Sequence, residues 1–290
     1  SSQVFATLGI DASGCVTTNT SKNAYLRTPI LGETPNALQW NDNFRSSRYD
    51  GLQTTLRKQV SRGVMFQVSY TFSKAMANTA AWLNDQNDFR SNWARTNRTH
   101  RLVFSYGYEV PQFFGSGGFA GKLLSGWSVS GVTSIQSGNP LTLTDRGAGS
   151  VYGRTGNATI TMCPNTTYSD LQTPGKESTR VNQWFKTAGV ICGAPVVGSD
   201  LLATGYGNAG QGIANGPGQN DWDISLSKTT RVGGIREDAQ LQLRVEFYNT
   251  FNHPQFADPG TTFGSTSSFG IITQTSVAPR LIQFGLKYAF

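Results

Sequence analysis

Few residues in this sequence are of a type and spacing that could do chemistry. Only two histidines occur, His100 and His253. A Ser–His–Asp triad needs an imidazole beside a nucleophile, and no Gly-x-Ser-x-Gly elbow is present to supply one. His253 stands in Asn252-His253-Pro254 at the end of an apolar run, where a turn accounts for it. No catalytic residue is assigned, and the chain reads as a protein that is not an enzyme. Asp85, Asn87 and Asp88 offer oxygens of the kind Ca²⁺ takes, but the loop lacks a full ligand series. Asp221 and Asp223 flank Trp222 and read as a solvated strand start. The glycines at 205–218 do not join a strand to a helix in a βαβ unit, so they are not a nucleotide loop. The reading assigns no metal and no cofactor.

The cysteines are Cys15, Cys163 and Cys192, none in a Cys-x-x-Cys pair, which argues against zinc. Cys163 and Cys192 lie in one long polar segment. In an oxidising compartment they can close a loop of about 30 residues, stabilising it by a few kcal/mol. Cys15 is then left over, with its partner absent or on another chain.

A second chemistry is electrostatic. Arg57, Arg101, Glu109, Arg244, Glu246 and Lys287 each fall on the polar side of a segment in which apolar and polar residues alternate. An Arg or Lys facing lipid at mid-bilayer costs roughly 2–4 kcal/mol. These six are therefore expected to face a barrel lumen, where they can pair or meet a plug or a solute.

The alternation itself defines the elements that position them. Ile282, Phe284, Leu286, Tyr288 and Phe290 share one face, opposite Gln283, Gly285, Lys287 and Ala289. Leu241, Leu243, Val245 and Phe247 do the same opposite Gln240, Gln242, Arg244 and Glu246. The pattern recurs at Leu102–Val110, at Val64–Phe72, and more weakly from Leu52, Trp127 and Trp222. A period of two means a strand with unlike faces. Seven strands of about 10–13 residues result, the length a tilted strand needs to cross a bilayer. Residues 2–9 have room for an eighth.

The connections alternate in length. Short turns fall at 61–63, 111–125 and 233–239, and long loops at 76–100, 145–221 and 253–279. A transmembrane barrel has short periplasmic turns and long extracellular loops. If Phe290 ends in the periplasm, every connection falls on its proper side. The expected fold is all-β: an antiparallel transmembrane-type β-barrel segment of seven or eight long meandering strands. Residues 1–48 read as an extracellular loop with a partial strand, 49–144 as the first four strands, 145–221 as a long extracellular loop, and 222–290 as the last three strands. Within the long loop, Thr179–Ala188 reads as a short surface helix with Val181, Trp184 and Phe185 on one side. Trp82, Trp93, Trp127 and Trp222 fall near strand ends, where an interfacial aromatic girdle places amphipathic rings.

Composition agrees. Charged residues are 14% of the 290, where a soluble domain carries about 25%. Aromatics are 11% and hydrophobic residues only 37%. No apolar window approaches the ~18 residues of a membrane helix. The net charge of +7 is scattered, with no Lys/Arg run of the kind that binds nucleic acid. The chain starts at Ser1, without an initiator Met or signal peptide, which reads as a processed or partial sequence.

Longer runs carry a resemblance. They are Arg48-Tyr-Asp-Gly-Leu-Gln-Thr-Thr-Leu-Arg57, Val68-Ser-Tyr-Thr-Phe-Ser-Lys74, His100-Arg-Leu-Val-Phe-Ser-Tyr106, Gly126-Trp-Ser-Val-Ser-Gly131 and Gln136-Ser-Gly-Asn-Pro140. Further on come Gly207-Asn-Ala-Gly210, Asp221-Trp-Asp-Ile-Ser-Leu226, Arg244-Val-Glu-Phe-Tyr-Asn-Thr-Phe-Asn-His-Pro-Gln-Phe256 and Pro279-Arg-Leu-Ile-Gln-Phe-Gly-Leu-Lys-Tyr-Ala-Phe290. In order and spacing this resembles the C-terminal barrel part of Oar-like TonB-dependent outer-membrane receptors, which carry a carboxypeptidase-regulatory-like domain. The resemblance implies uptake of a ligand across the outer membrane of a Gram-negative bacterium; the ligand itself is unidentified, with a carbohydrate or a peptide as candidates. It implies outer-membrane lipid and the barrel-assembly machinery as partners, and TonB and a plug domain wherever the full-length chain exists. Tyr288 and Phe290 resemble the C-terminal assembly signal of such barrels. The family's TonB box and plug are not in these residues, nor is the full strand count. The alternative function is a stand-alone extracellular β-protein that self-assembles through open strand edges into a multimer or fibre.

Overall fold

Residues that alternate apolar and polar would scatter both kinds around a helix, whereas a pleated strand sorts them onto two faces. The computed structural model describes residues 8–13, 20, 22–27, 46–78, 93–111, 119–152, 158–199, 201–232 and 239–290. Its first part holds β1 (Ser47–Ser61), β2 (Val64–Asn78), the short β3 (Trp93–Arg95), β4 (His100–Glu109), the six-residue helix α1 (Phe119–Leu124) and β5 (Trp127–Gln136). Two-residue strands follow: β6 (Pro140–Leu141), β7 (Thr144–Asp145), β8 (Ala158–Thr159), β9 (Thr161–Met162), β10 (Ile191–Cys192) and β11 (Ala214–Asn215). The chain closes with β12 (Gln219–Arg231), β13 (Gln240–Tyr248), the two-residue β14 (Thr262–Phe263) and β15 (Leu281–Ala289).

The seven long strands make one antiparallel meander in the order β1-β2-β4-β5-β12-β13-β15, with β3 paired to the far end of β2. The all-β expectation with seven long strands therefore holds. Among the described residues β1 and β15 are the two edges and do not pair with each other.

Turn chemistry fixes the register at the short-turn end. Ser61 and Val64 are joined by Arg62 (φ 52°) and Gly63 (φ 76°), two left-handed residues as a tight type I′ hairpin requires. Glu109 N–H donates to the Gly63 carbonyl at 2.8 Å, locking the turn to the end of β4. Gly126 has φ 74°, and a Cβ there would overlap the Thr229 carbonyl oxygen. That close approach lets Thr229 N–H reach Gly126 O at 2.9 Å and starts β5 beside β12.

Among the described residues the main buried hydrophobic cluster lies outside the long strands. It consists of Leu141, Leu143, Ile160, Met162, Leu171, Trp184, Phe185, Val190, Ile191, Ala209, Ala214 and Ile272, none of which lies in a long strand. These residues belong to the connections 137–218 and 249–280, which fold together as a layer at the end of the sheet opposite the short turns. Side chains of the long strands keep large exposed apolar groups, such as Leu56 (61% exposed) and Phe284 (73% exposed).

Three expectations need correction. β5 ends at Gln136 and β12 starts at Gln219, so the layer's first connection runs over 137–218 rather than 145–221. Pro140 pairs with Asn215 inside the layer, and Gln219 extends the ladder against Gln136. Thr179–Ala188 is not a helix. Only Glu177–Thr179 makes a 3₁₀ turn, and the backbone bonds then leave the segment: Trp184 N–H to Gly270 O at 2.7 Å, Lys186 N–H to Leu171 O at 2.8 Å. Trp184 and Phe185 are both 1% exposed, so two successive aromatics enter one core, which a surface helix could not arrange. The turn 111–125 contains α1. Leu8 and Gly9, the end of the expected strand at 2–9, are not in a strand, and the rest of it, Cys15, Trp82, the oxygens at 85–88 and most of the 233–239 turn lie outside the described residues.

Candidate functional site

Register decides which side chains share a face, because residues directly opposite in a ladder point the same way. Leu52 faces Phe72, and Leu56 faces Val68. Val68 faces Phe104, and Tyr70 faces Leu102. Leu102 faces Ile135, and Tyr108 faces Val129. Val129 faces Leu226, and Gly131 faces Ile224. Ile224 faces Phe247, and Leu226 faces Val245. Val245 faces Phe284, and Leu243 faces Leu286. One mainly apolar face thus runs from edge to edge, with Thr54 opposite Tyr70 and Thr133 between Phe104 and Trp222 as polar residues on it. The Tyr106 ring lies over Gly131, filling the one position on it that lacks a side chain.

That face has borders. Next to the loop layer, Phe72 and His100 are 5.0 Å apart between ring centroids, and the Tyr70 hydroxyl meets His100 Nδ1 at 2.9 Å. Trp222 stands edge-on to Phe251 at 5.6 Å. At the short-turn end lie Tyr108, Trp127, Tyr288 and Phe290, the last two with centroids 5.5 Å apart. Trp127 Nε1 donates to Leu123 O at 3.0 Å, and Lys228 Nζ sits over its ring at 5.1 Å while donating to Ser125 O at 2.7 Å. On β1 the charges Asp50 and Lys58 bracket the apolar stretch, eight residues apart. Eight residues span ~27 Å along a strand and about 19–22 Å across a bilayer at the tilt of a membrane barrel. A lysine stem reaches the remainder to its interface.

The opposite face is polar. All six charged residues singled out from the sequence lie on it. Arg57 is opposite Gln67, Arg101 is between Thr71 and Gln136, and Glu109 is opposite Ser128. Lys287 is opposite Gln242. Arg244 and Glu246 are brought together, with Nη1 to Oε1 at 3.4 Å, and the Tyr248 hydroxyl donates to Glu246 Oε2 at 3.3 Å. The other four stand on three separate strands. Serines fill the middle: Ser128 and Ser227 share a hydrogen bond at 2.7 Å. Asp223 is also on this face and accepts Asn249 N–H at 2.9 Å. From the sequence alone, the Asp221 and Asp223 pair reads as a solvated strand start. The signal that places them with the polar face is their spacing of two ahead of Ser225 and Ser227.

A belt of polar contacts ties the loop layer to the strand ends. Arg98 Nη1 donates to Ser137 O at 2.7 Å, and burial draws its guanidinium below its ordinary value, against the opposing pull of Asp258. Asn139 Nδ2 donates to Asp258 Oδ2 at 2.8 Å. Arg95 Nη2 bonds Asn215 Oδ1. Gln255, 1% exposed, accepts from Asn220 N–H at 2.7 Å and donates to Asn220 O at 2.6 Å, acting as one more rung of the ladder. His253 Nδ1 lies 3.1 Å from Gln255 Nε2. Nothing in the sequence marked Gln255 for this role. Cys163 and Cys192 are joined by a disulfide inside the layer, across β9 and β10. Thr167 N–H and its hydroxyl, both 2.7 Å from Asp170 Oδ2, hold the Asp170 carboxyl below the usual carboxylate range.

An apolar face that no described residue covers, bordered by aromatic rings, backed by a polar face and capped at one end by a folded loop layer, is the architecture of a membrane-spanning antiparallel β-sheet. No helix among the described residues is long and apolar enough to cross a membrane. The family model described as outer membrane beta barrel domain matches residues 3–283. The chain belongs to that family of outer-membrane β-barrel domains. Comparisons with the curated proteins and with the solved structures found no match.

Proposed function

We propose that this chain is the C-terminal barrel portion of an outer-membrane receptor of the Oar-like TonB-dependent kind, in a Gram-negative bacterium, taking up a carbohydrate or peptide ligand. The observation that carries the reading is the single apolar face across seven strands, with the polar face behind it and the loop layer at one end. In this reading the apolar face meets lipid. Arg57, Arg101, Glu109, Arg244, Glu246 and Lys287 line the lumen, where their charges avoid the cost of facing hydrocarbon. The loop layer is extracellular, where its disulfide persists. Tyr288 and Phe290 serve the barrel-assembly machinery, and TonB and a plug act with the barrel in the full-length receptor.

The test is the intact mass of the native polypeptide in separated outer-membrane and extracellular fractions. The reading expects, in the outer membrane, a chain several times the 31.4 kDa of these residues. A chain near 31.4 kDa found outside the membrane overturns it and leaves the self-assembling extracellular protein in its place.

A further inference from the structure

The connection from β4 to β5 carries a helix that reversing the chain does not require. The turn from β1 to β2 manages the reversal with two residues between Ser61 and Val64. Helix α1 instead ends in a set of bonds. Ser125 N–H donates back to Gly121 O at 3.1 Å. Trp127 Nε1 and Lys228 Nζ each reach Leu123 O at 3.0 Å, and Lys228 Nζ also reaches Ser125 O at 2.7 Å. A helix leaves its last carbonyls without partners of its own. A lysine at that end bonds them and meets the negative end of the helix dipole.

These two side chains fix the side of the sheet on which α1 ends. Trp127 is opposite Lys228, two residues from the pair Val129 and Leu226. Both therefore project from the apolar face, not from the polar face that carries Ser128 and Ser227. Their donor atoms hold the end of α1 on the apolar side, at the border where Tyr108 and Tyr288 also stand. There Leu123 is 53% exposed and Leu124 49% exposed.

We propose that α1 is an interfacial foot: it rests on the apolar side of the barrel wall and puts Leu123 and Leu124 into the phospholipid leaflet on the short-turn side. Three observations select phospholipid over a protein partner. The leucines continue the apolar face. The groups beside them are those that a membrane interface holds, an indole at headgroup level and a cation on an apolar stem. The carbonyls that would otherwise need water are bonded within the protein, which lets the helix end approach hydrocarbon. The Lys228 ammonium is shared between two carbonyls and the Trp127 ring, 5.1 Å away, so it does not enter the leaflet as a bare charge. A helix of six residues cannot span the bilayer but can lie in its surface with its apolar side chains at the headgroup–acyl boundary. The inference rests on the membrane placement proposed above and adds to it a lipid contact made by a connection rather than a strand.

The test uses the full-length protein in vesicles of phosphatidylethanolamine and phosphatidylglycerol. Leu123→Cys and Leu124→Cys are labelled one at a time with the fluorophore NBD in a Cys15→Ser background. Leu243→Cys on the apolar face and Gln242→Cys on the polar face are the references. Nitroxides on the lipid chains near the glycerol quench from the membrane, and iodide quenches from water. Labels at positions 123 and 124 are expected to emit at shorter wavelength than the label at 242, to be quenched by the lipid nitroxide and to be shielded from iodide. Removing both anchors, Trp127→Phe with Lys228→Met, should then raise iodide quenching at 124 towards the level at 242 and leave 243 unchanged. Iodide quenching at 123 and 124 as strong as at 242, with 243 still in lipid, would put the helix in water and overturn the inference alone. Shielding from both quenchers would place the leucines against protein and overturn it equally. A label at 124 that the double substitution does not move would remove the anchoring role of Trp127 and Lys228. Water exposure at 243 as well would overturn the membrane placement itself.

Discussion

Phe284→Arg puts the assignment of faces to a quantitative test. Phe284 lies near the middle of β15, opposite Val245 on the apolar face, and is 73% exposed within the protein. If that exposure is to lipid, a guanidinium there costs about 2–4 kcal/mol at the bilayer midplane. At 1.36 kcal/mol per decade that is roughly a 30- to 900-fold fall in the folded-to-unfolded ratio. The neighbouring change Gln283→Arg is the control. Gln283 lies opposite Glu246 on the polar face, so the new charge gains a carboxylate neighbour and costs less than about 1 kcal/mol. Denaturant unfolding of the native protein in phospholipid vesicles, followed by tryptophan fluorescence, reads both. Equal costs for the two variants would refute the reasoning, and a larger cost for Gln283→Arg would invert the faces.

Other consequences follow from individual contacts. Gly126→Ala forces a Cβ against the Thr229 carbonyl at φ 74° and should destabilise the β5–β12 pairing by about 1–3 kcal/mol, measured by the same unfolding. Replacing Cys163 and Cys192 by Ser removes a crosslink spanning 29 residues, about 3–4 kcal/mol of loop-closure entropy. Its readout is faster proteolysis within 137–218 while the strands stay protected. Trp184→Ala empties the centre of the loop core and frees the Asn215 carbonyl that Nε1 holds at 2.8 Å. A cost of about 3–5 kcal/mol is expected, again read by proteolysis of the layer. Asp170 has its folded value below its unfolded one, so its contribution is full above the ordinary carboxylate range and is lost as pH falls through the folded value. Asp170→Asn should flatten that acid-side loss in a pH series of amide exchange at Thr167.

The sheet was legible because alternation is a local signal that register carries across strands. Once Val245 is known to face Phe284, and Leu226 to face Val245, the faces of whole strands follow. The placement of Arg244 with Glu246 was legible for the same reason, since a spacing of two keeps both on one side. The loop layer was not legible. Trp184 and Phe185 are adjacent, so no period marks them as core, and their backbone partners Gly270 and Leu171 are remote in sequence. Gln255 completes the β12 ladder from a turn, a role that only tertiary contact defines. The Cys163–Cys192 pairing was legible only because both cysteines fall in one long polar segment.

The measurement closest to the central claim is site-directed spin labelling along β13 and β15 in native membranes, comparing collision with oxygen and with a water-soluble nickel chelate. The account predicts a period of two in both strands. Leu243, Val245, Ile282, Phe284 and Leu286 should favour oxygen, and Gln242, Gln283 and Gly285 the nickel chelate. Absence of the alternation, or its appearance with the phases exchanged, would contradict the account.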